Sequence, residues 1–177
     1  MDVRLLESSR LSAAECRALR RLLDEAFDGD FSDEDWQHAI GGWHAIVSTH
    51  DSMVAHAAAV ERHLVVDGRG FRTAYVEAVA VKPRHQRTGL GTAVLSRITS
   101  FVLAQFELGA LSSGEWSFYE RLGWERWRGP TYIRAADGRL LRSQSEDDGV
   151  MVLRCAASQH IDRTAAIACD ERVGDSW

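Results

Sequence analysis

The chain has 177 residues, of which 45% are hydrophobic, and a formal net charge of −5. This length suits one compact domain with a sizeable core, and the apolar content excludes an intrinsically disordered chain. The acidic balance disfavours nucleic acid as the main partner, because phosphate binding needs a basic face, and it permits a cationic ligand. Mild acidity also serves solubility alone, so the charge does not decide between these two interpretations.

The cellular location is predicted from what the sequence lacks. No apolar run reaches the roughly 18 residues of a membrane helix. The first residues, MDVRLLESSRLSAAE, lack the basic start and apolar block of a signal peptide. The sparse cysteines, Cys16, Cys155 and Cys169, indicate reduced thiols packed in a core. We therefore expect a cytoplasmic protein with no membrane partner. The seven histidines show no ligand spacing, so we expect no metal.

The first third of the chain predicts helices followed by strands. Ser12 and Glu15 form a capping-box pattern, and leucines at helical spacing then predict a helix over about 12–27. Residues 32–35 repeat the cap pattern before a short helix that is broken at Gly41-Gly42. The strands predicted next cover residues 44–49, 53–60 and 62–66, with the polar turn THDS (49–52) between the first two.

A hairpin signal, DGRG at 67–70, precedes the long strand FRTAYVEAVAV (71–81). The elements predicted after it are a helix over 89–106, a strand over 108–112, a short helix over 114–122, a strand over 123–127, turns at 129–130 and 135–139, and a late strand over 150–154. A helix, then antiparallel strands, then alternating strands and helices indicate one α/β or α+β domain over residues 1–177.

A glycine-rich loop joins the long strand to the helix that follows it. Its sequence, HQRTGLGTAVL (85–95), contains Gln86-x-x-Gly89-x-Gly91. Glycines let backbone amides approach a ligand closely, and a helix start adds unpaired N–H groups, which together favour an anion. The spacing excludes a Walker loop and the dinucleotide fingerprint. An ordinary glycine turn into a helix remains the alternative.

The stretch VEAVAVKPRHQRTGLGTAVL resembles the acetyl-coenzyme A loop of the GNAT (GCN5-related) N-acetyltransferases. The resemblance implies the GNAT fold, a central mixed, mostly antiparallel sheet flanked by helices, with acetyl-CoA as cofactor. Members often carry an aromatic residue before the Arg or Gln, where this chain has His85. The cofactor-binding residues that the resemblance implies are Val79, Ala80, Val81, Gln86, Arg87, Thr88, Gly89, Leu90, Gly91 and Thr92.

A narrower resemblance covers nearly the whole chain. The stretches FDGDFSDEDWQHAIGG (27–42), YVEAVAV (75–81), LGALSS (108–113) and CDERVGDSW (169–177) are similar, in the same order, to the aminoglycoside 2'-N-acetyltransferases. The match includes the Gly-Asp-x-Trp ending of that family. It implies acetylation of the 2'-amino group of an aminoglycoside, which gives antibiotic resistance, and it implies a homodimer.

An aminoglycoside is a cationic polyamine sugar, so its binding needs carboxylates around a cleft. The chain supplies such carboxylates on both sides of the loop, including Asp148 and Asp170. The substrate-binding residues that the resemblance implies are Asp30, Asp35, Trp43, Glu77, Ala78, Val79, Ser112, Asp147, Asp175 and Trp177, the last through its α-carboxylate.

The resemblance also implies catalytic roles. Glu77 is expected to act as general base through a water, because a protonated amine cannot attack a thioester, and the carboxylate of Trp177 is the second candidate. The backbone amide near Val79 would stabilise the oxyanion. Tyr119 would protonate the departing thiolate. The amine would attack directly in a ternary complex, without a covalent enzyme intermediate.

Structural interpretations stay open for several of these residues. Asp35 occupies the last position of a capping box, and Asp147 begins a plausible turn. Tyr119 lies between aromatic residues and could be core. Other functions are also open: acetylation of another polyamine or of a protein amine, or binding of aminoglycosides as a sink or sensor without turnover.

Two departures from the family bear on the substrate. This chain has Trp43 where the family carries Met in Gly-Gly-Met-His, and the segment 114–118 is about two residues shorter and contains Trp116. Indoles near the cleft would narrow it and favour a smaller 2'-amino drug such as kasugamycin over gentamicin or tobramycin. Trp43 could equally pack inward as core.

Overall fold

The computed structural model describes residues 2–50 and 52–177. Asp51, in the predicted THDS turn, and Met1, at the start of the segment inspected for a signal peptide, lie outside the described residues. The chain forms two compact units. The first contains residues 1–60 and 76–100, and the second contains residues 61–75 and 101–177. The long hairpin and the helix after the glycine loop contribute residues to both units.

The first unit combines helices with an antiparallel sheet. Its elements are β1 (Arg4–Glu7), a 3-10 turn (Ser8–Arg10), α1 (Ala13–Ala26), α2 (Asp33–Ala39), β2 (Trp43–Ser48), the first part of β3 (Met53–Val66), the last part of β4 (Arg69–Val81) and the first part of α3 (Leu90–Gln105). Strand β2 pairs antiparallel with β1 and with β3.

Both predicted helix caps are confirmed. Ser12 accepts from the Glu15 amide, while the Glu15 carboxylate accepts from the Ser12 amide at 2.8 Å. Ser32 and Asp35 form the same reciprocal pair before α2. The apolar face of α1 enters a core cluster, because Leu19, Leu22 and Leu23 are fully buried beside Ile46 and Ala58. The 3.6-residue period of the leucines therefore sets which face of α1 is inside.

The expectation that the chain begins with a helix is wrong. The segment Arg4–Glu7 is a strand, and it pairs with β2 so that Arg4 lies opposite Ile46 and Glu7 opposite Trp43. Its sequence, RLLE, places the two apolar residues side by side and so lacks the alternation that marks a half-buried strand, and its partner lies about forty positions away. Only the long-range pairing identifies this strand.

The second unit contains a mixed sheet. Its further elements are β5 (Leu108–Ser112), α4 (Trp116–Glu120), β6 (Glu125–Arg126), β7 (Thr131–Arg134), β8 (Leu140–Arg142), β9 (Val150–Arg154), β10 (Ile167–Asp170) and 3-10 turns at Gln144–Glu146 and Ala156–Ser158. The strand order is β6-β9-β5-β4-β3-β10-β7-β8. Pairs β4–β5 and β7–β10 are parallel, whereas β3–β10, β5–β9, β6–β9 and β7–β8 are antiparallel. The predicted α/β class with a mixed, mostly antiparallel sheet is confirmed.

Three strands of this unit were not predicted from the sequence. They are β7, β8 and β10, each of three or four residues. All residues of β8 are exposed, so it lacks the alternation of apolar and polar residues that marks a half-buried strand. Strand β10 pairs with β7 and β3, which are distant along the chain. Their identity as strands therefore comes from pairing partners and not from local pattern.

The predicted hairpin turn between β3 and β4 is confirmed. Asp67 and Gly68 have φ values of 46° and 78°, the positive values that a tight two-residue hairpin turn requires. The cysteine prediction is also confirmed for Cys155 and Cys169, which are buried free thiols whose pKa burial raises to about 11. Within residues 2–50 and 52–177, no helix is long and apolar enough to cross a membrane.

Candidate active site

The glycine loop has the geometry of an anion site. Strand β4 ends at Val81, residues 83–85 form a 3-10 turn, and α3 begins at Leu90. Arg87 and Gly89 both have positive φ, 61° and 86°. Alternating left-handed residues of this kind can curl a backbone into an anion-binding concavity. A Cβ at Gly89 would meet no described atom within 4 Å, so backbone conformation, and not lack of space, accounts for this glycine.

The start of α3 adds donors to this concavity. The first intrahelical bond runs from the Ala93 amide to the Gly89 carbonyl at 3.0 Å. The amides of residues 90–92 precede it and have no acceptor within the helix, which is the arrangement that binds phosphate oxygens. Gln86 to Gly89 are exposed to solvent. The donor set and its exposure fit the pyrophosphate of a coenzyme A, as the sequence predicts.

Strand β4 carries an irregularity where the sequence places the reaction. Ala78 has φ 50°, a left-handed conformation that non-glycine residues rarely adopt. Its neighbours Glu77 and Val79 are half-buried, whereas Ala80 is buried. A left-handed residue interrupts the strand's alternation, so the directions of the Glu77 side chain and the Val79 amide depend on Ala78. Strain of this kind clusters at functional sites.

Two histidines that the sequence did not single out lie beside this irregularity. The His56 Nδ1 lies 2.8 Å from the Ala78 carbonyl oxygen, and the His56 Nε2 lies 2.9 Å from the His44 Nδ1. These residues lack the chelating spacing of metal ligands. Polar residues at inward positions of two apolar strands, as in VAHAAAV, were the available signal. Among the described residues, no group of three potential ligands could hold a metal ion.

Tyr119 lies on α4 in the second unit, and it is only 8% exposed. Its ring contacts those of Phe118 and Trp124, at centroid distances of 5.1 and 6.4 Å. Burial raises the pKa of its hydroxyl, while a hydrogen bond with Ser113 acts in the opposite direction. Tyr119 is therefore a core residue with a protonated hydroxyl at neutral pH, which is the state that a general acid needs.

Asp147 is held by an ion pair and hydrogen bonds. Its carboxylate accepts from both terminal nitrogens of Arg142, one of them at 2.7 Å, and from the amide and hydroxyl of Thr131 at 3.0 and 2.9 Å. The Arg142 guanidinium and the Thr131 donors lower the pKa of Asp147 to about 2. Within this structure Asp147 is thus a structural anchor whose lone pairs are largely used.

The end of the chain joins the same network. Trp177 is 4% exposed, and its indole Nε1 donates to the Ser143 hydroxyl at 3.0 Å. That hydroxyl lies 3.0 Å from the Thr131 hydroxyl, which contacts Asp147. We call the residues Arg142, Ser143, Thr131, Asp147 and Trp177 the tail cluster. The buried indole thus fixes the tail to this network, whereas the role of the Trp177 carboxylate stays a prediction.

The remaining predicted substrate residues differ in exposure and in hydrogen bonding. Asp30 and Asp175 are exposed, and the Asp175 carboxylate accepts from the Trp177 amide at 3.0 Å. Asp35 is half-buried and caps α2. Trp43 is half-buried at the start of β2, opposite Ala59 of β3. Ser112 ends β5 and donates to Glu146 at 3.2 Å.

A cleft of about 820 Å³ lies within the second unit. Its charged lining residues are Glu120, Glu125, Asp147, Asp148, Arg126, Arg128, Arg142 and Arg163. These four carboxylates and four guanidinium groups cancel in formal charge, so this cleft alone does not concentrate a polycation. Trp116, in the shortened segment, donates to the Asp148 carbonyl at 2.9 Å and packs under Arg126.

Comparison with known proteins identifies relatives over the whole chain. Residues 7–127 match the family described as acetyltransferase (GNAT) domain. The aminoglycoside 2'-N-acetyltransferase of Mycolicibacterium fortuitum is 40% identical over an alignment of 178 positions, which covers 98% of this chain and 91% of that protein.

Solved structures share the fold at low identity. The GNAT family N-acetyltransferase YhbS of Escherichia coli, in complex with CoA, has a TM-score of 0.68 at 15% identity and covers 98% of this chain and 93% of its own. The ribosomal-protein-S18-alanine N-acetyltransferase of Escherichia coli has a TM-score of 0.57 at 20% identity, over 91% and 99% of the two chains. Eis1 of Mycobacterium abscessus has a TM-score of 0.61 at 20% identity, over 75% of this chain and 33% of its own, so this chain spans about a third of its length. The chain therefore belongs to the GNAT acetyltransferases and, within them, to the family of the aminoglycoside 2'-N-acetyltransferases.

Proposed function

We propose that this protein transfers the acetyl group of acetyl-CoA to the 2'-amino group of an aminoglycoside and thereby inactivates the drug. The observation that carries the proposal is the 40% identity, over 98% of the chain, to an aminoglycoside 2'-N-acetyltransferase. The anion-binding geometry of residues 86–92 supports the cofactor half of the reaction.

The loop residues and β4 bind the cofactor in this proposal. Acetyl-CoA, when bound, supplies the thioester whose carbonyl the amine attacks. The amides at the start of α3 hold the pyrophosphate, with Gln86 to Gly89 forming the concavity. Backbone groups of Val79 and Val81 pair with the pantetheine arm as an added strand would. The Val79 amide donates to the oxyanion that develops during attack.

Glu77 is the proposed general base, acting through a water. A protonated 2'-amine has no lone pair for attack, so the base must remove a proton before or during the transfer. Glu77 is half-buried beside the left-handed Ala78. A direct attack by the freed amine requires both substrates to be bound together, which predicts a ternary complex and no acetyl-enzyme.

Tyr119 is the proposed general acid. Its pKa is raised by burial, so its hydroxyl keeps its proton at neutral pH and can give it to the departing thiolate. Replacing Tyr119 with Phe keeps the aromatic packing of α4 and removes only the hydroxyl. This exchange separates the chemical role from the role in the core.

The predicted carboxylates of the acceptor site are proposed to have different roles, some in direct contact with the substrate and one in holding the protein structure. Asp30 and Asp175 are exposed and suit direct contacts with ammonium groups. Asp147 is committed to Arg142 and Thr131, so we assign it the role of holding the tail cluster in place. Asp35 combines helix capping with a carboxylate on the surface of the first unit.

We further propose a preference for a small 2'-amino drug such as kasugamycin. A half-buried indole at Trp43, in place of the family's methionine, supports it by reducing the volume left for the acceptor. Trp43→Met should raise the kcat/KM for gentamicin and tobramycin and leave that for kasugamycin little changed. Equal turnover of the larger drugs by both proteins would remove this part of the proposal.

The first experiment follows thiol release from acetyl-CoA with kasugamycin, gentamicin, tobramycin, kanamycin A and spermidine, and locates the acetyl group by mass spectrometry. Kanamycin A, which has a 2'-hydroxyl, is the matched control. Acetylation of the 2'-amino drugs alone would support the proposal. Activity on spermidine alone would assign the enzyme to another polyamine, and drug binding without turnover would indicate a sink or sensor.

A further inference from the structure

Two fully buried histidines have no role in the proposed chemistry. His44 on β2 and His56 on β3 are both 0% exposed, with ring centroids 5.2 Å apart. Burial lowers the pKa of His44 to about 4 and that of His56 to about 3, and the neighbouring His44 contributes to the second shift. Both imidazoles are therefore neutral at physiological pH, and each carries one proton on one nitrogen.

The contacts fix which nitrogen carries each proton. A carbonyl oxygen only accepts, so the His56 Nδ1, 2.8 Å from the Ala78 oxygen, must be the protonated nitrogen. The neutral His56 then accepts at Nε2, and its partner at 2.9 Å, the His44 Nδ1, must be the donor. The His44 Nε2 is left as an acceptor.

Ser8 completes this chain of hydrogen bonds. Its hydroxyl lies 2.6 Å from the His44 Nε2 and 3.1 Å from the Gly42 carbonyl oxygen. The hydroxyl has a single proton, and we assign it to the shorter contact, because an unprotonated Nε2 can only accept there. The same oxygen accepts from the Gly41 amide at 2.8 Å, and the Gly42 carbonyl accepts from the Ser8 amide at 2.9 Å. Every hydrogen bond of this series therefore has the same donor-to-acceptor direction. The series runs from Ser8, which follows β1, through His44 on β2 and His56 on β3 to Ala78 on β4.

The last acceptor of this hydrogen-bond series is the carbonyl of Ala78, which has the left-handed backbone conformation on β4. Ala78 adopts φ 50°, and such a conformation persists only where its surroundings hold it. The His56 N–H holds the carbonyl of that same residue. Breaking this contact would leave a fully buried imidazole N–H without its acceptor, which resists any relaxation of Ala78 towards ordinary strand geometry.

We propose that Ser8, His44 and His56 form a positioning relay that holds the Ala78 carbonyl, and with it the left-handed backbone that directs the Glu77 side chain and the Val79 amide. The relay transfers no proton to substrate, because it ends on a carbonyl. Its relevance to catalysis rests on the proposed function, in which Glu77 is the base and Val79 an oxyanion donor. Its hydrogen-bond pattern is a property of the folded protein alone.

The first test measures the tautomers of both histidines by NMR on protein labelled with 15N-histidine. The relay requires that His44 and His56 both carry their proton on Nδ1, which is the less common tautomer of free histidine, and stay neutral between about pH 8 and pH 5.5. Assignment uses the single variants His44→Gln and His56→Asn. A protonated Nε2 on either ring, or titration of either ring in that range, would overturn the proposal.

The second test uses two isosteric variants of His56. Asparagine places an N–H₂ near the position of Nδ1 and keeps the bond to Ala78, whereas glutamine reaches the position of Nε2 and loses it. We expect His56→Gln to lower kcat about tenfold and to weaken acetyl-CoA binding about threefold, because Glu77 and Val79 both shift. His56→Asn should recover kcat to within about threefold of wild type. His160→Gln, at an exposed histidine, is the matched control.

Equal losses of kcat in the asparagine and glutamine variants would overturn the positioning role, since volume and not the Ala78 bond would then matter. Ser8→Ala gives a milder perturbation if the His56 variants unfold, because it removes only the donor to the His44 Nε2. The 15N shift of that nitrogen should change while both rings stay protonated on Nδ1, and an unchanged shift would overturn the place of Ser8 in the relay. A wild-type protein that acetylates no amine in the panel would refute the proposed function, whereas the tautomer spectra would still decide the relay.

Discussion

The residues around Ala78 on β4 and the tail cluster are both implied in the same reaction, but the first are held by neutral buried hydrogen bonds and the second by a partly exposed ion pair. Glu77 and Val79 flank Ala78, whose carbonyl is held by neutral, fully buried imidazoles. The tail cluster is held by the Arg142–Asp147 ion pair, whose side chains keep 36% and 30% of their exposure. A neutral buried contact is insensitive to salt, whereas a partly exposed ion pair is weakened by screening and by low pH.

This difference predicts that the backbone around Ala78 is rigid and that the tail cluster can adjust to its ligand. Reacting atoms need fixed geometry, and a buried hydrogen bond that leaves an unsatisfied donor when it breaks provides it. A site for a flexible polycation tolerates adjustment, and charged side chains at a surface allow it. Changes at Glu77, Asp147 and Trp177 test the two groups, and a change at Asp35 separates helix capping from substrate binding; the expected effects decrease in this order.

The largest effect is expected at Glu77. Glu77→Gln keeps the shape of the side chain and removes the proposed base, so kcat near neutral pH should fall about 100-fold or more, since general bases contribute about 10²–10⁴-fold. The deficit should narrow at high pH, where the amine is already deprotonated. Steady-state kinetics across pH measure it, and calorimetry should find acetyl-CoA affinity nearly intact. Glu34→Gln, at an exposed residue of α2, is the control, and an equal loss there would refute the assignment.

The next effect concerns stability at Asp147. Its pKa is lowered to about 2, so the carboxylate stabilises the fold above its usual pKa, and this contribution is lost as the pH falls towards 2. Asp147→Asn should reduce the free energy of unfolding by about 1.5 kcal/mol at pH 7, after allowance for exposure of the pair.

Urea unfolding of wild type and Asp147→Asn at several pH values measures this contribution. The difference between the proteins should stay constant above about pH 5 and shrink below about pH 4. Asp148→Asn, at the exposed neighbouring residue, should show little change. A pH-independent difference would mean that charge at Asp147 does not stabilise the tail cluster.

A smaller effect is expected at Trp177. Trp177→Phe keeps an aromatic ring and removes the indole N–H that donates to Ser143. The loss of this hydrogen bond should weaken the packing of Trp177 in the tail cluster by about 1 kcal/mol. Because this cluster belongs to the proposed acceptor site, the KM for the aminoglycoside should rise several-fold, with acetyl-CoA affinity unchanged. Binding of each substrate, measured separately by calorimetry, distinguishes these outcomes, and weaker acetyl-CoA binding would contradict the assignment.

The smallest effect distinguishes two roles of Asp35. Ser32→Ala removes one half of the capping box of α2, and Asp35→Asn weakens the other half by replacing the carboxylate with a neutral amide, so each should cost up to about 1 kcal/mol of stability. Only Asp35→Asn also removes a carboxylate, so only it should raise the KM for the aminoglycoside. Thermal unfolding and kinetics of the pair measure both roles. Identical kinetics in the two variants would leave Asp35 as a cap alone.

Local pattern by itself determined much of this protein. The capping boxes at Ser12 and Ser32, the leucine period of α1, the hairpin turn at Asp67-Gly68 and the loop after β4 are encoded within a few residues of each other. Short-range hydrogen bonds and backbone preferences form them, and these interactions leave a direct trace in the sequence. The resemblance to the aminoglycoside 2'-N-acetyltransferases supplied the expected residue roles.

The tertiary structure alone decided which of these residues are already engaged. Strands β1 and β10 depend on partners far along the chain. The ion pair of Asp147 with Arg142 and the hydrogen bonds of Asp147 with Thr131 depend on how the segments between these residues fold back. The contact of His56 with the left-handed Ala78 joins residues 22 positions apart on neighbouring strands. Such contacts follow from register and burial, which no short stretch of sequence specifies, because their energies arise only when distant groups are brought together away from water.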